Sequence, residues 1–347
     1  MNAAAGAMPA GGARRFDGLQ QLRLIAAAMV AVFHSAHYVV TQTGTTDPHV
    51  TFWTHPFFSQ GVYLFFGISG FVLQHALTRY PVPQFLSLRL LRIYPPFLFC
   101  VALYYVARTL LLGAAPPMSW RALTLLPFGR VPYPLGIEWS LVYEIFFYVV
   151  VALLALPRRR IFARTAFGLW AALTVVASIE GTNTHFFPTF ANIGLSLFNL
   201  CFIGGALAYE FRDALGRRPI LLAGVALAGL VGMFPIDMSG RQFLMLPLAT
   251  TGIVALAARD GGQGRPVAWW RAQLVRGGDW SYGLYLLHIP IITILLGLAA
   301  APAARHPRAA FFGVALMALT LGLAYGALEM AAYRRVRGLV LKPGDRV

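Results

Sequence analysis

Charge is what this sequence has least of. Asp, Glu, Lys and Arg together make up 12% of its 347 residues, about half of what a water-soluble chain of this length carries. A surface made from such a composition must face something other than water. Lysine is nearly missing: Lys342 stands alone beside 27 arginines. Cysteine is scarce too, and Cys100 and Cys201 both lie inside apolar runs, which excludes a disulfide framework and any cysteine-based metal spacing. There is no internal repeat and no connector long enough to hold a second domain, the longest being 114–137 and 259–279. The Ala/Gly-rich start reads as a disordered tail. It does not read as a cleavable signal, because the first apolar run is long and carries Arg23 without a small-residue cleavage site.

What is abundant is hydrocarbon. Hydrophobic residues reach 58% and the mean hydropathy is +0.67. They fall in runs near 19–40, 57–77, 94–113, 138–156, 161–179, 190–211, 219–236, 243–258, 280–300 and 309–333. Most have the length that crosses a bilayer as a helix. The predicted architecture is therefore all-α: a polytopic membrane bundle of about ten transmembrane helices over 17–335, with tails at 1–16 and 336–347. The 243–258 run is the weakest of the ten.

The net charge of +16 does not point to nucleic acid, because the basic residues form short clusters between apolar runs and no basic face. They do carry a direction. Alternating the connectors across the membrane puts 20 basic residues on the side of the N-terminus, including Arg158, Arg159, Arg160, Arg217 and Arg218. The other side receives five: Arg121, Arg130, Arg241, Arg305 and Arg308. By the positive-inside rule both termini are cytoplasmic. The stretch 81–93 is too short and too basic to span, and is predicted as an interfacial helix with Arg89 and Arg92 on one face.

Ionisable residues within spans are the functional candidates. Arg23 and His34 are eleven residues apart, which returns them to the same helix face separated by about 16 Å along the axis. An anion held by Arg23 at the inner mouth can extend an arm to His34, and neutral imidazole is a ready base. Equally, Arg23 snorkels to headgroups and His34 makes an interhelical hydrogen bond; spacing alone leaves both readings open. His37 with His34 lacks a third metal ligand, so no metal is expected. Glu144 shares a face with Ser140 and needs a partner: it either fixes a neighbouring helix or orients His34. Ser69, in Gly67-Ile-Ser-Gly70, lies within a helix and is a poor nucleophile; small residues there allow close packing. His288 precedes Pro290 and is either a packing residue or part of a cavity.

Taken together, five segments resemble a known family. Leu19-Gln-Gln-Leu-Arg23 through His34 is similar to the first-helix signature of the acyltransferase 3 family. Gly61–Phe71, Phe85–Pro95, Trp139-Ser140 with Glu144, Phe147 and Tyr148, and Tyr282–Pro290 resemble its later motifs, in family order. Where the family has Asp in the second-helix motif this chain has Tyr63, and Gly283 replaces a common Ser.

The resemblance implies a stand-alone O-acyltransferase of a bacterial inner membrane, without a fused esterase-like domain. It would move an acyl group, usually acetyl from acetyl-CoA, to a hydroxyl of a cell-surface or lipid-linked carbohydrate such as an exopolysaccharide. His34 is implied as catalytic base and Arg23 as its support. Glu144 is expected to hold one of them. Arg89 and Arg92 are expected on the CoA phosphates, and Trp139, Ser140, Ser69 and His288 around the substrates. Acyl-CoA enters as donor, with no permanently bound cofactor. Succinyl transfer, or a lipid or small-molecule acceptor, is the rival within the class. A carrier or flippase using Arg23 and His34 as an anion path is the rival outside it, though no two related halves are visible.

Overall fold

A computed structural model describes residues 16–155, 160–178, 185–232, 240–259 and 268–340. Ten longer helices follow one another: α1 Asp17–Thr43, α2 Gly61–Leu77, α3 Val82–Leu112, α4 Glu138–Ala155, α5 Arg160–Ala177, α6 Phe198–Glu210, α7 Pro219–Gly232, α8 Gly240–Ala257, α9 Trp269–Leu298 and α10 Pro307–Val340. Each overlaps one predicted apolar run. Among the described residues no strand forms; Phe128 and Thr189 make an isolated β bridge. The fold is all-α.

Among the described residues, six segments are long and apolar enough to cross a membrane: Asp17–Thr43, Pro56–Leu77, Val82–Leu112, Glu138–Ala155, Trp269–Leu298 and Pro307–Gly338. The apolar helices Phe162–Ala177, Pro219–Gly232 and Met245–Ala257 are shorter. So is α6, whose 13 residues extend only about 20 Å at 1.5 Å per residue. It is held by its neighbours, packing on α2, α5 and α8.

Helix α1 is stopped by Gly44, which takes φ +66° and returns its N–H to the Val40 carbonyl, a conformation that a side chain disfavours. α1 then packs along α9, α10 and α2, while α4 lies against α2 and α3. Aromatic rings fill the seam between α2, α4 and α6. Phe147 stacks on Phe202 with centroids 3.8 Å apart, and Phe66 meets Phe147 edge-on at 5.6 Å. Outward faces stay apolar: Ile220 is 86% exposed and Leu110 78%, as lipid contact requires.

The 81–93 stretch is not a separate interfacial helix. It opens α3, which continues unbroken through Pro95 and Pro96 to Leu112. Proline removes an N–H and one helical hydrogen bond, and neighbouring helices support this part of α3. The Tyr282 hydroxyl donates to the Ile93 carbonyl at 3.2 Å and that of Tyr325 to the Pro96 carbonyl at 3.3 Å. Arg89 and Arg92 are thereby carried on a helix of spanning length, turned toward the bundle interior. At the opposite end of α10, Arg308 hydrogen-bonds Asp47, holding that carboxyl below its ordinary range and tying the loop after α1 to α10.

The contact between α2 and α6 depends on the absence of a side chain. A Cβ on Gly205 would run into the Gly67 carbonyl oxygen, and backbone cannot move aside cheaply. Gly205→Ala is expected to destabilise the fold by about 1–3 kcal/mol, read as a lower thermal midpoint in detergent. An unchanged midpoint would show that the helices do not approach this closely.

Candidate active site

Six helices enclose a cavity of about 210 Å³. α1 supplies Arg23, α2 Ser69, α3 Arg89 and Arg92, α4 Ser140 and Glu144, α9 Tyr282 and Tyr285, and α10 Tyr333. Residues scattered from 23 to 333 are thus brought to one polar chamber inside an apolar bundle.

Glu144 is satisfied by hydroxyls. Ser69 Oγ lies 2.8 Å from both carboxylate oxygens and Tyr148 donates to one of them at 2.9 Å. Among the described residues Glu144 makes no hydrogen bond to His34 or Arg23, so its contacts are those of a helix-joining carboxylate on the cavity wall. Ser69 is its donor. The small-residue turn around Ser69 also seats α2 on α6.

The three arginines differ in what they already hold. Arg92 is ion-paired to Glu329 of α10, and its guanidinium lies 5.0 Å from the Tyr282 ring and 5.2 Å from that of Tyr333. Its charge is matched. Arg89 lies over Phe85 at 5.8 Å and has no carboxylate partner among the described residues. Arg23 likewise has none, and its Nε is buried without a hydrogen bond. Glu144 shares the chamber and its field reaches both, but two guanidinium charges against one carboxylate leave an excess that is costly in a membrane interior unless an anion joins it. Arg23 and Arg89 therefore form the better anion site, with Arg92 behind them.

Beyond the cavity lies a pair of imidazoles. His288 Nε2 is 3.0 Å from His34 Nδ1, and His288 Nδ1 is 2.7 Å from the Tyr285 carbonyl. A carbonyl only accepts, so His288 carries its proton on Nδ1 and presents a lone pair at Nε2. His34 must then donate from Nδ1, which leaves its own Nε2 unprotonated and available. The hydrogen-bond chain thus assigns the tautomers of both rings. Tyr285 ties this pair to the chamber: its hydroxyl meets Ser140 Oγ at 2.6 Å, and both residues line the cavity.

Not every expected residue arrives there. Trp139 packs between Phe186, at 4.9 Å, and Phe198, at 5.3 Å, and does not line the chamber. His37 is exposed and stacked on Phe33 at 5.9 Å. Tyr63 faces the Phe198 ring at 5.4 Å, in the core and away from the cavity. Tyr285, Glu329 and Tyr333 do not stand out in the sequence. Tyr285 was passed over although it stands three residues before His288, on the same helix face. Glu329 was passed over although it is an acid within an apolar run.

The family model for this acyltransferase domain matches residues 16–327. The chain belongs to the acyltransferase 3 family. Acyltransferase MdmB of Streptomyces mycarofaciens is 28% identical to it over 356 residues, covering 90% of this chain and 89% of the relative. No solved structure matches. In this acyltransferase 3 protein, residues from all five motifs either line one chamber or form the histidine pair beside it, and the protein is an acyltransferase with membrane-type helices.

Proposed function

We propose that this protein is an O-acyltransferase that moves an acyl group, most simply acetyl, from cytoplasmic acyl-CoA to a hydroxyl of a lipid-linked or cell-surface carbohydrate. The observation that carries the reading is the His34–His288 pair, set beside a chamber in which Arg23 and Arg89 make no ion pair among the described residues and share one carboxylate, Glu144. The bundle crosses a bacterial inner membrane ten times with both termini in the cytoplasm, so the arginines face the donor side. The phosphates of CoA engage Arg23 and Arg89 through charge-assisted hydrogen bonds, and the pantetheine arm carries the thioester along α1 toward His34.

The chemistry is then balanced by one base. His34 Nε2 takes the proton of the acceptor hydroxyl as its oxygen attacks the thioester carbonyl. The carbon–sulfur bond breaks, an ester forms, and the imidazolium returns the proton to the departing thiolate. His288 holds His34 in the tautomer this requires. Glu144, Ser69 and Ser140 shape the path without taking the proton.

Reconstituted protein given radiolabelled acetyl-CoA and a lipid-linked glycan extract is expected to move label into the glycan fraction. Arg89→Gln is expected to raise KM for acetyl-CoA roughly tenfold, the loss of one charge-assisted hydrogen bond, with a smaller effect on kcat. Movement of acceptor across the bilayer without consumption of acetyl-CoA would instead identify a carrier.

A further inference from the structure

A second cavity, of about 350 Å³, lies between α3 and α10. Its walls are Leu91, Pro95 and Phe99 on one side and Tyr325, Leu328 and Glu329 on the other. Phe99 is 57% and Leu328 72% exposed, so this groove opens sideways into hydrocarbon. The rings of Phe99 and Tyr325 stack at 5.9 Å, nearly parallel, forming a flat apolar floor. Tyr333 lines both the groove and the central chamber. The partition between the two consists of that ring and the Arg92–Glu329 pair.

Two features of the groove do not suit a plain lipid tail. Glu329 is 7% exposed, and while one carboxylate oxygen bonds Arg92, the other, Oε2, is buried with no hydrogen-bond partner. Pro95 has no N–H, so the Leu91 carbonyl above it loses its helical donor. Both groups accept hydrogen bonds, and hydrocarbon supplies none. The Glu329 charge is already matched by Arg92, so a neutral donor suffices and a cation is not needed.

We infer that the α3–α10 groove binds an apolar molecule bearing a free hydroxyl, taken from the bilayer, whose O–H donates to Glu329 Oε2. The apolar body lies on Phe99, Tyr325 and Leu328, and the hydroxyl end points toward the partition. Such an occupant is one ion pair and one tyrosine ring from the chamber, which makes the groove the lateral entrance for the acyl acceptor. That last step rests on the acyl-transfer reading; the binding itself does not. Of the two acceptor classes, cell-surface polymer and lipid-borne alcohol, the groove fits the second.

The test uses full-length protein in phospholipid nanodiscs and two probes, hexadecanol with a mid-chain diazirine and its methyl ether. The ether keeps the chain and loses the donor. On illumination the alcohol is expected to label the peptides around Leu91–Phe99 and Leu328–Val336 about tenfold more than the ether, the ratio for one hydrogen bond to a charged buried group. Ala332→Trp, which fills the groove while leaving Glu329 in place, is expected to remove that preference. Equal labelling by alcohol and ether, or an unchanged preference in Ala332→Trp, overturns the proposal. Labelling needs no acyl-CoA, so its result is read separately from ester formation in the radiolabel assay, and either can fail without the other.

Discussion

Replacing His34 by alanine is expected to lower acyl transfer by about a thousandfold, within the range that a positioned base contributes. The loss should appear in kcat. Acyl-CoA affinity should hold, because Arg23 lies some three turns away along α1 and both arginines line the cavity, which His34 does not. The thermal midpoint should change little, since His34 is only partly buried and its one side-chain partner is His288. Transfer by His34→Ala at the wild-type rate would remove His34 from the chemistry and leave the pair as a structural contact between α1 and α9.

The second large effect concerns His288. In the proposed mechanism it does not touch the reacting atoms and acts as a positioning residue, through its contact with His34 Nδ1. His288→Leu removes the acceptor for His34 Nδ1–H, freeing the ring to rotate and to exchange tautomers. Losing such an orienting partner costs roughly 10- to 100-fold, again in kcat with KM for acyl-CoA unchanged. His288→Gln retains a side-chain oxygen able to accept from His34, and should recover part of that loss. Equal damage from Leu and Gln would mean that packing matters here, and not the proton. In the double variant lacking both histidines the losses should not add, because the two rings act as one unit.

The positions that the sequence showed plainly were those governed by local repetition. Each apolar run became a helix, because hydrocarbon leaves the backbone little alternative to bonding with itself. The shared face of Arg23 and His34 follows from helical pitch alone, and Glu144 stood out because a carboxylate within a span needs a reason. Partner choice was not legible. His34 meets His288 at a sequence separation of 254, and Arg92 meets Glu329 at one of 237; no local pattern encodes such pairings. The resemblance to acyltransferase 3 proteins marked Arg89 and Arg92 as equivalent, yet only the fold shows that one charge is matched by a carboxylate and the other is not. The continuity of α3 was hidden for a different reason. The short, basic stretch 81–93 reads as separate from the apolar run after it, and only the fold shows one helix continuing through both.

Helix α9 presents Tyr282, Tyr285 and His288 within two turns. The first places its ring against Arg92, the second bonds Ser140 and supplies the carbonyl beneath the imidazole, and the third orients His34. The span from Tyr282 to His288 is about 9 Å at 1.5 Å per residue. The ring against Arg92 and the imidazole that holds His34 therefore share one helix, and a slip of α9 along its axis displaces both at once. The bundle is in this sense an interlock: whatever displaces the chamber wall at Tyr282 also displaces the histidine pair.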